Sequence, residues 1–120
     1  MMALMRALVA SLILVCLSPF ALHVTAEPEP PRPAAQMYRR YCVSCHGSDW
    51  RAKTSKGKFS HARDLTDPTW QDEVSDERIF NSIMNGRNVR GNMPAFANKL
   101  DEKEVNSLVD FVRRLKGPQQ

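Results

Sequence analysis

Cys42-Val43-Ser44-Cys45-His46 places two thiols and an imidazole within five consecutive residues. Sulfur is both a nucleophile and a soft metal ligand, and imidazole is a versatile one, so this cluster could support four kinds of chemistry. It could cycle as a dithiol. It could hold zinc, with His61 as a fourth ligand. It could close a disulfide. Or both thiols could add to the two vinyl groups of one haem, with the histidine that follows lying under the iron as proximal ligand. A dithiol pair wants a βαβ context that this sequence lacks. A zinc site wants a spacing found in common fingers, and no second Cys-x-x-Cys is present. A disulfide across two intervening residues staples almost nothing. C-x-x-C-H is the attachment signature of c-type haem, so the expected cofactor is one covalently attached haem c.

An iron held by His46 needs a sixth ligand or an open site. The candidates are Met37, Met84, Met93 and His61. Met37 and Met84 fall on predicted apolar helix faces, where methionine usually fills a core. Met93 lies in the irregular segment Gly91-Asn92-Met93-Pro94-Ala95-Phe96. Pro94 restricts the residue before it to an extended conformation, which helps hold a sulfur out of a loop toward the iron. His46 and Met93 are therefore the expected metal ligands. His61 reads as a solvated loop residue or a propionate partner. Arg63 and Trp70 are further candidates for hydrogen bonds to the haem propionates, with pocket wall or core as the other reading of Trp70.

Three helices must position these groups. The first starts at Pro33 or Ala34, where proline suits the opening turn, and runs through Tyr38 toward Cys42. The second is expected over 76–85, capped by Ser75, lined by Ile79, Phe80, Ile83 and Met84, and ended by Gly86. The third opens on an Asp101–Glu104 capping box, and Val105, Leu108, Val109, Val112 and Leu115 recur at helical spacing. Arg113, Arg114 and Lys116 suit the negative end of its dipole, and Gly117-Pro118 stops it. No segment alternates as a strand. Residues 47–75 and 87–100 show no period, and irregular stretches of that length make sense in a small domain when they wrap a large ligand.

The chain has 120 residues, 42% of them hydrophobic, with only 5 glycines and 8 prolines. That excludes a disordered or fibrous class and points to a single domain. Three cysteines are too few for a disulfide-dense scaffold. Residues 1–26 read as a secretory signal peptide: Arg6, an apolar run from Ala7 to Leu17, and a Val24-Thr25-Ala26 ending. An uncleaved anchor and a lipid-modified Cys16 are the weaker alternatives. Residues 27–33 are a proline-rich linker with no expected packing, 34–117 the domain, and 118–120 a tail. The expected location is periplasmic, without stable membrane insertion after cleavage.

Cys42-Val43-Ser44-Cys45-His46 followed by Gly91-Asn92-Met93-Pro94 resembles the class I monohaem cytochrome c family, over roughly residues 34–116. Gly47 and the chain length resemble its short bacterial members. The resemblance implies an all-α cytochrome c fold of three or more helices around one haem, with the terminal helices crossing. Ala34 and Tyr38 would meet Leu108 and Phe111 at that crossing, although many relatives have glycine where Ala34 stands.

The ligands then imply the activity. A histidine with a thioether raises the reduction potential relative to two nitrogen ligands, and burial of the iron acts the same way. A filled sixth position leaves single-electron transfer and no catalytic residue. The main reading is a soluble periplasmic electron carrier. The alternatives are a haem subunit of a larger oxidoreductase and an open-site sensor or peroxidase. Arg51, Lys53, Lys56, Lys58 and Arg63 lie within thirteen residues, flanked by Asp49 and Asp64. Such a patch would steer the protein onto acidic redox partners. Nucleic acid is not an expected partner, because no recognition module accompanies these charges.

Overall fold

The computed structural model describes residues 31–118. The expected signal peptide and most of the expected linker therefore lie outside the described residues, as does the end of the tail. Within them the chain forms α1 (Ala34–Tyr41), α2 (Val43–His46), α3 (Ser55–Phe59), α4 (Pro68–Glu73), α5 (Asp76–Asn85) and α6 (Glu102–Arg113). No strand occurs among the described residues, and one antiparallel bridge joins Arg87 to Met93.

The three expected helices form where local signals put them. The Pro33 carbonyl accepts the first free N–H groups of α1, from Gln36 and Met37. Ser75 Oγ accepts the Arg78 N–H at the start of α5, and Gly86 ends that helix at φ 72°. A Cβ on Gly86 would lie 2.6 Å from the Met93 carbonyl, so glycine is required there for space as well as conformation. In α6, Asp101 Oδ1 accepts the Glu104 N–H at 2.8 Å, and Glu104 Oε2 accepts the Asp101 N–H at 3.1 Å. This helix stops at Arg113, earlier than its basic run suggests. Gly117 instead donates its N–H to the Thr66 carbonyl at 2.9 Å.

Two expectations fail. The stretch 47–75 is not wholly irregular, because α3 and α4 lie inside it. Neither is long enough to show a hydrophobic period. Their starts are nevertheless capped: Thr54 accepts the Gly57 N–H, and Asp67 accepts those of Thr69 and Trp70 with Pro68 in the first turn. Nor does the linker end free of the domain. Arg32 donates to Glu104 Oε1 at 2.6 Å and to Oε2 at 2.8 Å. A side chain 72 positions away holds it, which no local composition could announce.

The core is built where α1 packs across α6. Met37 and Leu108 are each 1% exposed and Val105 is fully buried. Burying an aliphatic side chain of this size contributes about 1.5–3 kcal/mol. The Tyr38 and Phe111 rings meet with centroids 5.3 Å apart, and Ala34 packs against the same cluster. The four residues of the expected crossing therefore share one core. Gln71 is buried below it and donates to the Leu65 and Val112 carbonyls, at 2.9 and 2.8 Å. Arg113 closes that end by donating to Asp76, Val74 and Gln71.

Candidate haem site

Cys42 occupies the joint between α1 and α2, and Cys45 lies within α2. The cysteines are one helical turn apart, so both thiols belong to one face. Both are free and half-buried. Burial, with the neighbouring Cys45 second, pushes the Cys42 thiol up to about 12. A thiol held neutral is a poor redox nucleophile. Among the described residues, no three His, Cys, Asp or Glu side chains converge on a common metal position, so His61 does not complete a zinc site. It is exposed, on the turn after α3, at φ 50°.

His46 ends α2, half-buried. Its Nδ1 lies 3.0 Å from the main-chain carbonyl of Arg63. A carbonyl can only accept, so Nδ1 carries the proton and Nε2 keeps its lone pair. Burial lowers the imidazole pKa, against the smaller opposing effect of that carbonyl. Two free thiols on one turn, followed by an imidazole whose Nδ1 is engaged and whose Nε2 is left free, match the donor set that covalent haem attachment needs. Arg63 thus reaches the site through its backbone, while its side chain is exposed.

Three further residues shape the site, none of them in the attachment motif. Tyr38 donates its hydroxyl to the Gly47 carbonyl at 2.7 Å, fixing the turn directly after His46. Burial raises that hydroxyl's pKa, so it stays a donor. Thr54 Oγ1 lies 2.9 Å from the Ser44 carbonyl and 3.0 Å from that of Cys45, and donates to the pair. Gly57 allows α3 to lie against α2: a Cβ there would stand 2.1 Å from the Cys45 carbonyl. The Thr54 cap has a local signature. The closeness at Gly57 has none.

The four sixth-ligand candidates separate. Met37 is sealed in the core. His61 is solvated. Met84 and Met93 are half-buried against the core cluster. Only Met93 sits in a closed loop, where Arg87 and Met93 exchange N–H···O bonds of 2.8 and 2.7 Å. The Asn92 N–H donates to the Ser60 carbonyl at 2.9 Å, clipping that loop to the segment packed on α2. Trp70 is half-buried in α4 against the core cluster, which suits the wall or core reading.

The family model described as cytochrome C oxidase, cbb3-type, subunit III matches residues 29–112. The chain belongs to this cytochrome c family. Membership implies haem c, and the helical architecture is the all-α cytochrome c fold. Among curated relatives, the cytochrome is 33% identical over 82 residues to the cbb3-type cytochrome c oxidase subunit FixP of Rhizobium etli, covering 68% of this chain and 26% of the relative. It is 30% identical over 81 residues to the CcoP subunit of Azospirillum brasilense, covering 68% and 27%. The chain therefore spans about a quarter of the length of these relatives. Among solved structures, the KustC0563 c-type cytochrome is 38% identical, with a TM-score of 0.63, and the match covers 71% of this chain and 99% of that one. No helix among the described residues is long and apolar enough to cross a membrane.

Proposed function

We propose that this cytochrome carries one haem c, attached through Cys42 and Cys45 and ligated by His46 Nε2 and the Met93 thioether, and that it passes single electrons as a haem subunit of a larger oxidoreductase. The observation that carries the reading is the His46 Nδ1 bond to the Arg63 carbonyl, which orients the ring and leaves Nε2 free beside two thiols. The haem supplies a one-electron ferric–ferrous couple. The chain's own residues set its terms. Burial favours the neutral form of His46, and the Arg63 carbonyl aims its ring. Met93 occupies the sixth position, favours the ferrous state and keeps other ligands off. Tyr38 holds the turn directly after the motif, and Thr54 holds the Ser44 and Cys45 carbonyls within it.

Similarity to the FixP and CcoP oxidase subunits supports the complex-bound role. A free periplasmic carrier is the second reading, favoured by the match to nearly all of the KustC0563 cytochrome chain. Export of the domain fits the signal-like pattern in residues 1–26.

We also propose an acidic redox partner. Residues 52–63 and 86–100 contain seven lysines and arginines and no aspartate or glutamate. The Asn92–Ser60 bond brings these two segments together. They also carry Phe59 and Val89, 87% and 70% exposed. Apolar side chains within a basic rim suit brief docking onto an acidic surface, with rates that fall as salt rises.

Absorption spectra of the purified protein, oxidised and reduced, with and without carbon monoxide, test the site. A c-type haem spectrum unchanged by carbon monoxide is expected. A shift on adding it would replace the carrier with an open-site sensor or peroxidase, and a haem-free product from a host able to attach haem would overturn the site altogether. Haem staining of size-fractionated native extract separates the two carrier roles. Signal at the mass of a complex supports the subunit, and signal at the mass of the chain supports the free protein.

A further inference from the structure

Arg32 grips three separate parts of the chain. Its Nε and Nη2 meet the Glu104 carboxylate as a fork, at 2.6 and 2.8 Å. Nη1 donates to the Tyr41 hydroxyl at 3.1 Å, and Nη2 also to the Lys99 carbonyl at 2.9 Å. Two of these partners bear on the haem site. Tyr41 directly precedes Cys42, and its ring lies 6.0 Å from that of Phe96. The Lys99 N–H closes a turn onto the Phe96 carbonyl at 2.8 Å. Phe96 is three residues after Met93, and its own N–H is held by the Ile83 carbonyl at 3.0 Å. Glu104 is only 7% exposed. Without the guanidinium, its carboxylate would keep the Asp101 N–H as a partner but lose its neutralising charge.

Building on the Met93 ligation above, we propose that Arg32 is a positioning residue: its fork on Glu104, with the bonds to Tyr41 and Lys99, latches segment 96–100 against the Cys42 side of the site and so keeps the Met93 loop closed over the iron. The latch lies outside the attachment motif and touches neither axial ligand. It acts by tying the chain just after Met93 to the chain just before Cys42.

The test is titration of the ferric holoprotein with imidazole, which enters the sixth position only when Met93 leaves. Arg32→Gln cuts all four of these bonds and should tighten apparent imidazole affinity about tenfold, because only part of the loss, on the scale of one charge-assisted hydrogen bond, is felt at the Met93 loop. Arg32→Lys keeps the charge without the fork and should fall between. Arg113→Gln cuts the ties to Asp76 and Val74 at the far end of α6 and should leave the affinity at the wild-type value. Equal affinity in wild type and Arg32→Gln overturns the latch. An equal gain in Arg113→Gln also overturns it, because both variants would then report general loosening. If Arg32→Gln does not accumulate as holoprotein, Glu104→Gln reads the same latch from its other side, and an unchanged affinity there overturns it. A wild type lacking a sulfur-to-iron charge-transfer band before titration removes the Met93 ligation itself, and the latch with it. That failure shows in the unmutated protein alone.

Discussion

His46 and Arg63, seventeen residues apart, are joined by an Nδ1–H···O=C bond of 3.0 Å that fixes both the tautomer and the direction of the imidazole. A metal-binding histidine commonly relies on such an outer partner, and here the partner is main chain. The side chain at position 63 is therefore free to vary while the bond persists. His46→Ala should abolish accumulation of stable holoprotein. Arg63→Ala should keep holoprotein yield within about twofold, since the carbonyl remains. Haem absorbance per mole of purified protein measures both.

Met93→Ala should lower the reduction potential and allow carbon monoxide to bind the ferrous protein. Met37→Leu should do neither, because Met37 is core filling at 1% exposure, and it should cost less than about 1.5 kcal/mol. Redox titration and a carbon monoxide difference spectrum of each variant separate the two methionines. A potential unchanged in Met93→Ala would remove Met93 from the sixth position.

Gly57→Ala drives a methyl group to 2.1 Å from the Cys45 carbonyl. Either α3 moves off α2 or the attachment turn distorts. The expected loss is about 1–3 kcal/mol, as for overpacking elsewhere. It should appear as a lower urea midpoint, together with a reduced fraction of haem-loaded protein. An unchanged midpoint would show that the two short helices separate at little cost.

Glu104 carries a pH dependence whose sign is fixed by its partner. The hydrogen bond from Arg32 holds its carboxyl below the usual carboxylate range, against the opposing effect of desolvation. A carboxyl depressed in the folded state contributes stability that is fully present above its unfolded value of about 4.5 and is lost as pH falls through the lower folded value. Arg32→Gln should therefore move the acid unfolding midpoint to higher pH, read by circular dichroism. At about pH 7 and above Glu104 is ionised in folded and unfolded states alike, so there the substitution should lower stability by an amount that does not change with pH.

Neutralising Lys56, Lys58 and Arg90 together should slow electron transfer to an acidic partner protein at low salt and flatten the dependence of its rate on ionic strength. Truncating Phe59 to alanine should weaken the encounter at all salt concentrations, since its contribution is apolar. Stopped-flow rates across a salt series test both. Unaltered rates in the triple variant would mark these charges as solvated surface.

The attachment motif, the bounds of α5 and the capping box of α6 could be read from residues alone. Each rests on neighbours a few positions apart: a Cys-x-x-Cys-His run, a serine before an apolar face, and an aspartate three residues ahead of a glutamate. The helix crossing was legible only through resemblance, since Ala34, Tyr38, Leu108 and Phe111 carry no spacing that pairs them. The short helices α3 and α4 escaped because five or six residues cannot complete a hydrophobic period, although Thr54 and Asp67 mark their starts.

What the sequence by itself determined was the chemistry available and the local elements that carry it, because covalent attachment and helix capping depend on residues adjacent along the chain. Only the tertiary structure decided how those groups are held. The Arg63 carbonyl under His46, the clearance that demands glycine at position 57, and the fork between Arg32 and Glu104 all join segments far apart in sequence. A backbone carbonyl is common to every residue, and a close approach leaves no mark on composition. Contacts of this kind exist only once burial of the core has brought their segments together.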